Sequence, residues 1–183
     1  MGFGRRISII GPSGSGKSTL ARRLSTHLGV PALELDGLHH QPNWTQLEPE
    51  VFRERVSAFV DGPRWVVDGN YTSVGVLDLV WERADQVVWL DLPRWRTVSR
   101  VLRRSVGRAV TRQELWNGNR ESVRSFLSTD REVNFLLWTW TNHTHVREKY
   151  TSRTRESKWS SLDLVRLESP AQLRAWLRRA ESR

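Results

Sequence analysis

Between residues 11 and 18 the chain reads Gly-Pro-Ser-Gly-Ser-Gly-Lys-Ser, with Thr19 next. Gly11, Gly14 and Gly16 allow backbone angles that other residues resist, so the N–H groups of Ser13, Gly14, Ser15 and Gly16 can converge on one anion. Lys17 adds a mobile charge for the outer phosphates of a nucleotide, and Ser18 offers a hydroxyl to Mg²⁺. A helix beginning at Lys17 and Thr19 would aim its positive end at the same point. The spacing fits G-x-x-x-x-G-K-[ST], and the expected ligand is a nucleoside triphosphate with magnesium.

Such a loop needs a strand before it and a helix after it. "RRISII" (5–10) is β-rich, and Leu20, Ala21, Leu24 and Leu28 recur at helical spacing up to Gly29 and Pro31. Further strands are expected at 32–36, 64–70, 85–93 and 162–167. The run "DQVVWLDLP" reads as a strand buried on both faces. Helices are expected from Phe52 to Val60, from Pro93 with Val98, Val101 and Leu102 inward, from Val133 with Asp130 as N-cap, and after Ser169. Ser169, Pro170 and Gln172 form a capping-box signature. Strands alternating with helices predict one α/β domain over 1–183, a five-stranded parallel sheet covered on both faces.

In a parallel sheet ligands gather at the carboxyl ends of the strands. Asp36, Asp68 and Asp91 fall at or near such ends. Asp36 is expected to receive an acceptor hydroxyl, as hydrogen-bond acceptor or general base. Asp91, just before Leu92-Pro93, reads as a helix-start residue. Arg100 and Arg104 share a helix face, and Arg108 and Arg112 extend the row towards Arg120. His39, His40, Asn43 and Trp44 follow the second strand: Trp44 can stack on a ring and Asn43 can read a hydroxyl. Asn70 and Tyr71 lie close to the same expected pocket. Trp65, Trp81, Trp89, Trp138, Trp140 and Trp176 are expected in the core by default.

Composition narrows the class. The 183 residues carry a formal charge of +9 with 38% hydrophobic and 27% charged residues. The chain has no cysteine, which excludes disulfides, thiolate metal sites and cysteine nucleophiles. No apolar run is long enough to cross a membrane, and a cytoplasmic location is expected. Arginine carries nearly all the positive charge, and its planar fork suits phosphate. Nucleic acid is a partner that such charge allows, but no nucleic-acid-binding motif accompanies it. The guanine-reading N-K-x-D segment of switch GTPases is absent.

"GPSGSGKSTLA", "LELDGLHHQPNW", "WVVDGNY", "VVWLDLPRW" and "LWNGNRES" together resemble the bacterial FlaR-like, or DNA-topology-modulation, proteins among the adenylate-kinase-like P-loop kinases. "LDGLHHQPNW" is also similar to the GDxLHPxxN pattern of gluconate kinases. The resemblance implies a three-layer P-loop kinase fold with an acceptor-binding segment at about 37–62 and an arginine-rich lid at about 103–121. It implies ATP and Mg²⁺ as cofactors, with Gly11 to Thr19 on the phosphates and Ser18 and Asp68 towards the metal. Lys17, Asp36, Arg100, Arg104 and Arg108 are then the catalytic candidates, and Asp36, His39, Asn43, Trp44, Asn70 and Arg120 the acceptor-binding ones. The acceptor is a small molecule, a nucleoside or nucleotide before a sugar acid. A nucleotide-binding regulator of DNA topology is the alternative, and monomer or homodimer stays open.

Overall fold

The computed structural model describes residues 3–111, 114–119 and 135–181. Five strands, β1 (Arg6–Ile10), β2 (Ala32–Glu34), β3 (Trp65–Asp68), β4 (Gln86–Leu90) and β5 (Asp163–Leu167), form one parallel sheet in the order β2-β3-β1-β4-β5. The helices are α1 (Lys17–Leu28), α2 (Leu35–His39), α3 (Pro49–Val60), α4 (Val76–Arg83), α5 (Arg94–Thr111), α6 (Phe135–Arg153) and α7 (Pro170–Glu181). The central strand β1 leads to β2 on one side, while β4 leads to β5 on the other. Loops that diverge in this way open a crevice at the carboxyl edge of the sheet.

Alternation along the strands sorts their side chains into two layers. Ile7, Ile9, Val66, Val88 and Leu90 pack with Leu20, Ala21 and Leu24 of α1 and Leu177 of α7. Ile10, Trp65, Val67, Val87 and Trp89 pack with Phe52 and Val56 of α3, Val80 of α4 and Tyr150 of α6. Helices thus cover both faces, as the alternation of elements predicts. Trp65, Trp81 and Trp89 are buried, while Trp140 is exposed.

Several elements depart from expectation. The second strand stops at Glu34, and Leu35–His39 is a short helix, so Asp36 sits in a helical first turn instead of at a strand end. Helix α4 is too short and too apolar to read: Val76, Leu77, Leu79, Val80 and Trp81 are all buried, and Asp78 and Glu82, four apart, make only a narrow polar face. On α5 the buried residues are Thr97, Val101 and Ser105, and Leu102 is exposed. The reason is the neighbour. A Cβ on Gly14 would lie 2.3 Å from the Thr97 carbonyl oxygen and 2.7 Å from Val101 Cγ2, so small groups must face the loop. Asp91 does not cap a helix. It is buried, and its carboxylate accepts from Arg147 Nε and Arg166 Nε, each at 3.0 Å.

Ser169 caps α7 as expected: Gln172 N–H donates to its Oγ at 3.2 Å, and Gln172 Oε1 accepts from the Glu168 N–H at 2.6 Å. Residues 103–111 of the expected lid continue α5, and 114–119 form a turn against residues 37–44. Asp130, Arg112 and Arg120 lie outside the described residues, as does the side chain of Trp138. Among the described residues, no helix is long and apolar enough to cross a membrane.

Candidate active site

The glycine loop fills the turn between β1 and α1. Gly14 and Gly16 take φ of 77° and 100°, angles that a Cβ resists. Helix α1 has no side-chain cap at Gly16 and no acidic residue in its first turn. Its leading N–H groups and its positive end are therefore left for an anion from outside. Lys17 Nζ donates to the Pro12 carbonyl at 3.3 Å, folded back over the loop it would serve. Arg100 Nη1 of α5 donates to the Ser15 carbonyl at 3.1 Å from the far side. Asn70 closes the base of the loop: its Oδ1 accepts from the Gly11 N–H at 3.2 Å and its Nδ2 donates to the Gly11 carbonyl at 2.5 Å.

Asp68 ends β3 next to this loop, and Ser18 Oγ donates to its Oδ2 at 2.5 Å. Burial pushes the Asp68 carboxyl above its ordinary range, although Lys17 and the Ser18 hydrogen bond pull it down. Its Oδ1 is buried with no hydrogen-bond partner. A hydroxyl and a carboxylate with an unused oxygen form a hard donor set of the kind Mg²⁺ takes alongside phosphate oxygens and waters. The residues fit the ion.

An observable consequence follows from that buried charge. Asp68 holds its proton to higher pH in the folded chain than in the unfolded one, so its contribution to stability falls as pH rises through and above the ordinary carboxylate range. Asp68→Asn keeps an acceptor for Ser18 and removes the charge. We expect it to raise the calorimetric Tm of the protein without nucleotide at neutral pH, because the amide carries no charge to desolvate. The further stabilisation by Mg²⁺ with ATP should shrink. A lower Tm in the variant would contradict a net cost of burying this charge.

The other side of the crevice is built from α2 and the segment after it. Asp36 is exposed, and Tyr71 Oη donates to its Oδ1 at 2.9 Å. Burial first, and the Asp36 charge second, push the Tyr71 phenol well above its usual range, so it stays a donor. His39 packs against Phe52 and Tyr71 at centroid distances of 5.2 and 4.7 Å, and burial lowers its pKa. Asn43 and Trp44 turn the chain with φ of 59° and 58°, and Trp44 stays 42% exposed. The Asp36 and Glu34 charges reach Asp68 and add to its upward shift, while Glu34 itself is paired with Arg22 Nε at 3.5 Å.

On α5, Arg100, Arg103, Arg104 and Arg108 line an open groove of about 440 Å³ together with Gly107 and Thr111. Four guanidinium groups on one stretch of helix, one of them bonded to the loop, suit a polyphosphate.

The structure therefore brings Lys17, Ser18 and Asp68 together at the loop, and Asp36 with Tyr71 across from them. Arg104 and Arg108 stand beside Arg100 on α5. Asn70 faces the loop instead of the acceptor side, both ends of its amide bonded to Gly11. Asn43 is a turn residue, as its left-handed φ requires. Sequence reasoning missed Trp116, Asn117 and Asn119, which bond to residues 34–44. The Asn117-Gly118 pair was the available signal, because Asn-Gly marks a tight reversal.

Comparison with known proteins gives a consistent picture. No protein-family model matches the chain. Adenylate kinase 2 of Nostoc sp. (strain PCC 7120 / SAG 25.82 / UTEX 2576) is 32% identical over an alignment spanning 55% of this chain and 70% of that protein. A gluconokinase from Sinorhizobium meliloti 1021 superposes with a TM-score of 0.53 at 18% identity, covering 100% of this chain and 92% of its own. Shikimate kinase from Acinetobacter baumannii in complex with shikimate gives 0.56 at 16% identity, over 96% and 90%. Shikimate kinase from Bacteroides thetaiotaomicron gives 0.55 at 14% identity, over 98% of each chain. These solved structures share the α/β fold, a five-stranded parallel sheet with helices on both faces.

Proposed function

We propose, from the premise that this chain belongs to the adenylate kinase family of P-loop kinases, that it transfers a phosphoryl group from ATP with Mg²⁺ to a hydroxyl of a small acceptor, a nucleoside before a sugar acid. One observation carries the acceptor class. An exposed carboxylate, Asp36, is held through one oxygen by Tyr71 at 2.9 Å, and its charge also reaches Asp68. A carboxylate is the partner a hydroxyl needs and one that a phosphate acceptor avoids. The segments "LELDGLHHQPNW" and "WVVDGNY" support a finer membership among the FlaR-like proteins.

In this reading the amides from Ser13 to Thr19 and the end of α1 hold the phosphate chain. Lys17 swings from the Pro12 carbonyl to the outer phosphates, and Arg100, with Arg104 and Arg108 beyond it, faces the charge that builds up during transfer. Ser18 and Asp68 would hold magnesium, which would supply charge neutralisation to the phosphates. Tyr71 keeps Asp36 Oδ1 occupied, which leaves Oδ2 to accept the acceptor's proton. The acceptor oxygen bonds to phosphorus as the bond to the ADP oxygen breaks.

An ADP-release screen over nucleosides, nucleoside monophosphates and sugar acids, with products identified by ³¹P NMR, tests this. Turnover with a nucleoside or sugar acid is expected. Turnover with monophosphates alone would overturn the hydroxyl reading.

Trp44 supplies a sharper test. A bulky side chain in the left-handed region costs about 1–2 kcal/mol, a strain that Gly avoids. Trp44→Gly should therefore leave the Tm unchanged or higher while raising the acceptor KM at least about 10-fold, the loss expected from a ring contact worth about 1.4 kcal/mol. An unchanged KM would remove Trp44 from the site.

A further inference from the structure

The turn at 116–119 has no part in the chemistry just described, yet its side chains serve the backbone of a segment far away in sequence. Two tight reversals meet here. In the first, Gln41 N–H donates to the Thr45 carbonyl at 2.8 Å and Leu47 N–H to the His39 carbonyl at 2.8 Å, with Asn43 and Trp44 left-handed at the tip. In the second, Leu115 N–H donates to the Asn119 carbonyl at 2.7 Å, with Asn117 and Gly118 left-handed at the tip.

Asn119 is buried between them. Its Nδ2 donates to the Gln41 carbonyl at 2.9 Å, and its Oδ1 accepts from the Trp44 N–H at 2.9 Å. Asn117 Nδ2 donates to the Gly37 and His40 carbonyls at 3.2 and 2.6 Å. Trp116 lies on Gly37, where a Cβ would come within 2.7 Å of its Cδ1, and its Nε1 donates to Glu34 Oε2 at 3.4 Å. Backbone groups at 37, 40, 41 and 44 thus find their partners on one turn. Helix α2, which carries Asp36, is five residues long. A helix that short does not hold itself.

We propose that Trp116, Asn117 and Asn119 are positioning residues of the acceptor site, a latch that fixes the 37–47 arm and the Asp36 helix against the far end of the arginine-bearing helix. Three residue steps separate Thr111, the last residue of α5, from Glu114. A chain of that length spans at most about 11 Å. The turn that carries the latch therefore stays within about 11 Å of the end of the helix that faces the phosphates. The kinetic consequence rests on the kinase reading above; the structural one does not.

Hydrogen exchange by mass spectrometry on the ligand-free full chain tests the latch directly. In Asn119→Ala and Trp116→Ala, exchange across 37–47 should quicken at least about 10-fold while exchange in β1, α1 and β4 stays as in the parent. Asn119→Asp keeps the acceptor for Trp44 N–H but loses the donor to Gln41. It should do the same to a smaller degree, which keeps the test open if the alanine variants fold poorly. Gly37→Ala should loosen the arm as Trp116→Ala does, and the double variant should be no looser than Trp116→Ala alone. In the nucleoside screen, with adenosine, guanosine, cytidine, uridine and thymidine as probes, kcat/KM for the acceptor should fall at least about 10-fold and KM for ATP should stay within about 2-fold. Unchanged exchange across 37–47, or quickening spread evenly over the sheet, overturns the latch. A parent that turns over no acceptor removes the kinase reading, and exchange still decides the latch.

Discussion

Replacing Lys17 with alanine should cut phosphoryl transfer by about 10²–10³-fold or more, the scale seen when one preorganised charge partner of a transition state is removed. Lys17 is the only residue of the loop with a charge of its own, and in the ligand-free chain its ammonium is spent on a carbonyl of that same loop, Pro12. That contact is weak and internal, so breaking it on nucleotide binding costs little, and the alanine variant should fold with a nearly unchanged Tm. Lysine also opposes the upward shift at Asp68. Its loss should therefore make Asp68 harder to ionise and weaken the magnesium response together with ATP binding. Coupled ADP-release kinetics and isothermal calorimetry with Mg·ATP measure both effects. A Lys17→Ala protein that turns over ATP like its parent would place the site elsewhere. Lys17→Arg should fail nearly as badly, since a planar fork does not replace a compact ammonium on a short reach.

Asp36→Asn should lower kcat by about 10²–10⁴-fold, the usual worth of a positioned base, and leave ATP affinity as it was. The separation is the point. The Asp36 side chain hydrogen-bonds Tyr71, and its charge reaches Asp68 only as a lesser contribution, so its main effect belongs to the acceptor. The amide that replaces the carboxylate can still accept from Tyr71 but cannot take a proton. Tyr71→Phe removes the partner instead, freeing the carboxylate to turn, and should cost less, about 10-fold. Steady-state kinetics on the acceptor found in the screen reads these values. An unchanged kcat in Asp36→Asn would mean that the acceptor carries its own ionised oxygen, as a phosphate does.

The phosphate loop was legible because each of its tasks is written in a residue type at a fixed spacing, and β1 and β4 because a strand covered on both faces is apolar throughout. The order of strands and helices then forced the parallel sheet. Helix α4 escaped because five of its eight residues are buried and Asp78 and Glu82 make too narrow a polar face to mark a period. The inward face of α5 escaped for the opposite reason: Thr97 and Val101 lie against Gly14, where there is no room for larger groups, and the buried Ser105 continues that face without apolar area. Asp36 was found although its element was misread, because three strand-like residues run directly into a helical turn at Leu35. The latch was illegible in principle. Asn117 and His40 stand 77 residues apart, and nothing in either stretch names the other.

The missing side chain at residue 14 has a mechanical corollary. With Thr97 and Val101 pressed onto the bare Cα of Gly14 and Ser105 buried one turn on, the first half of α5 and the phosphate cradle are cast as one piece. Arg100 then rides with the cradle and does not swing over it.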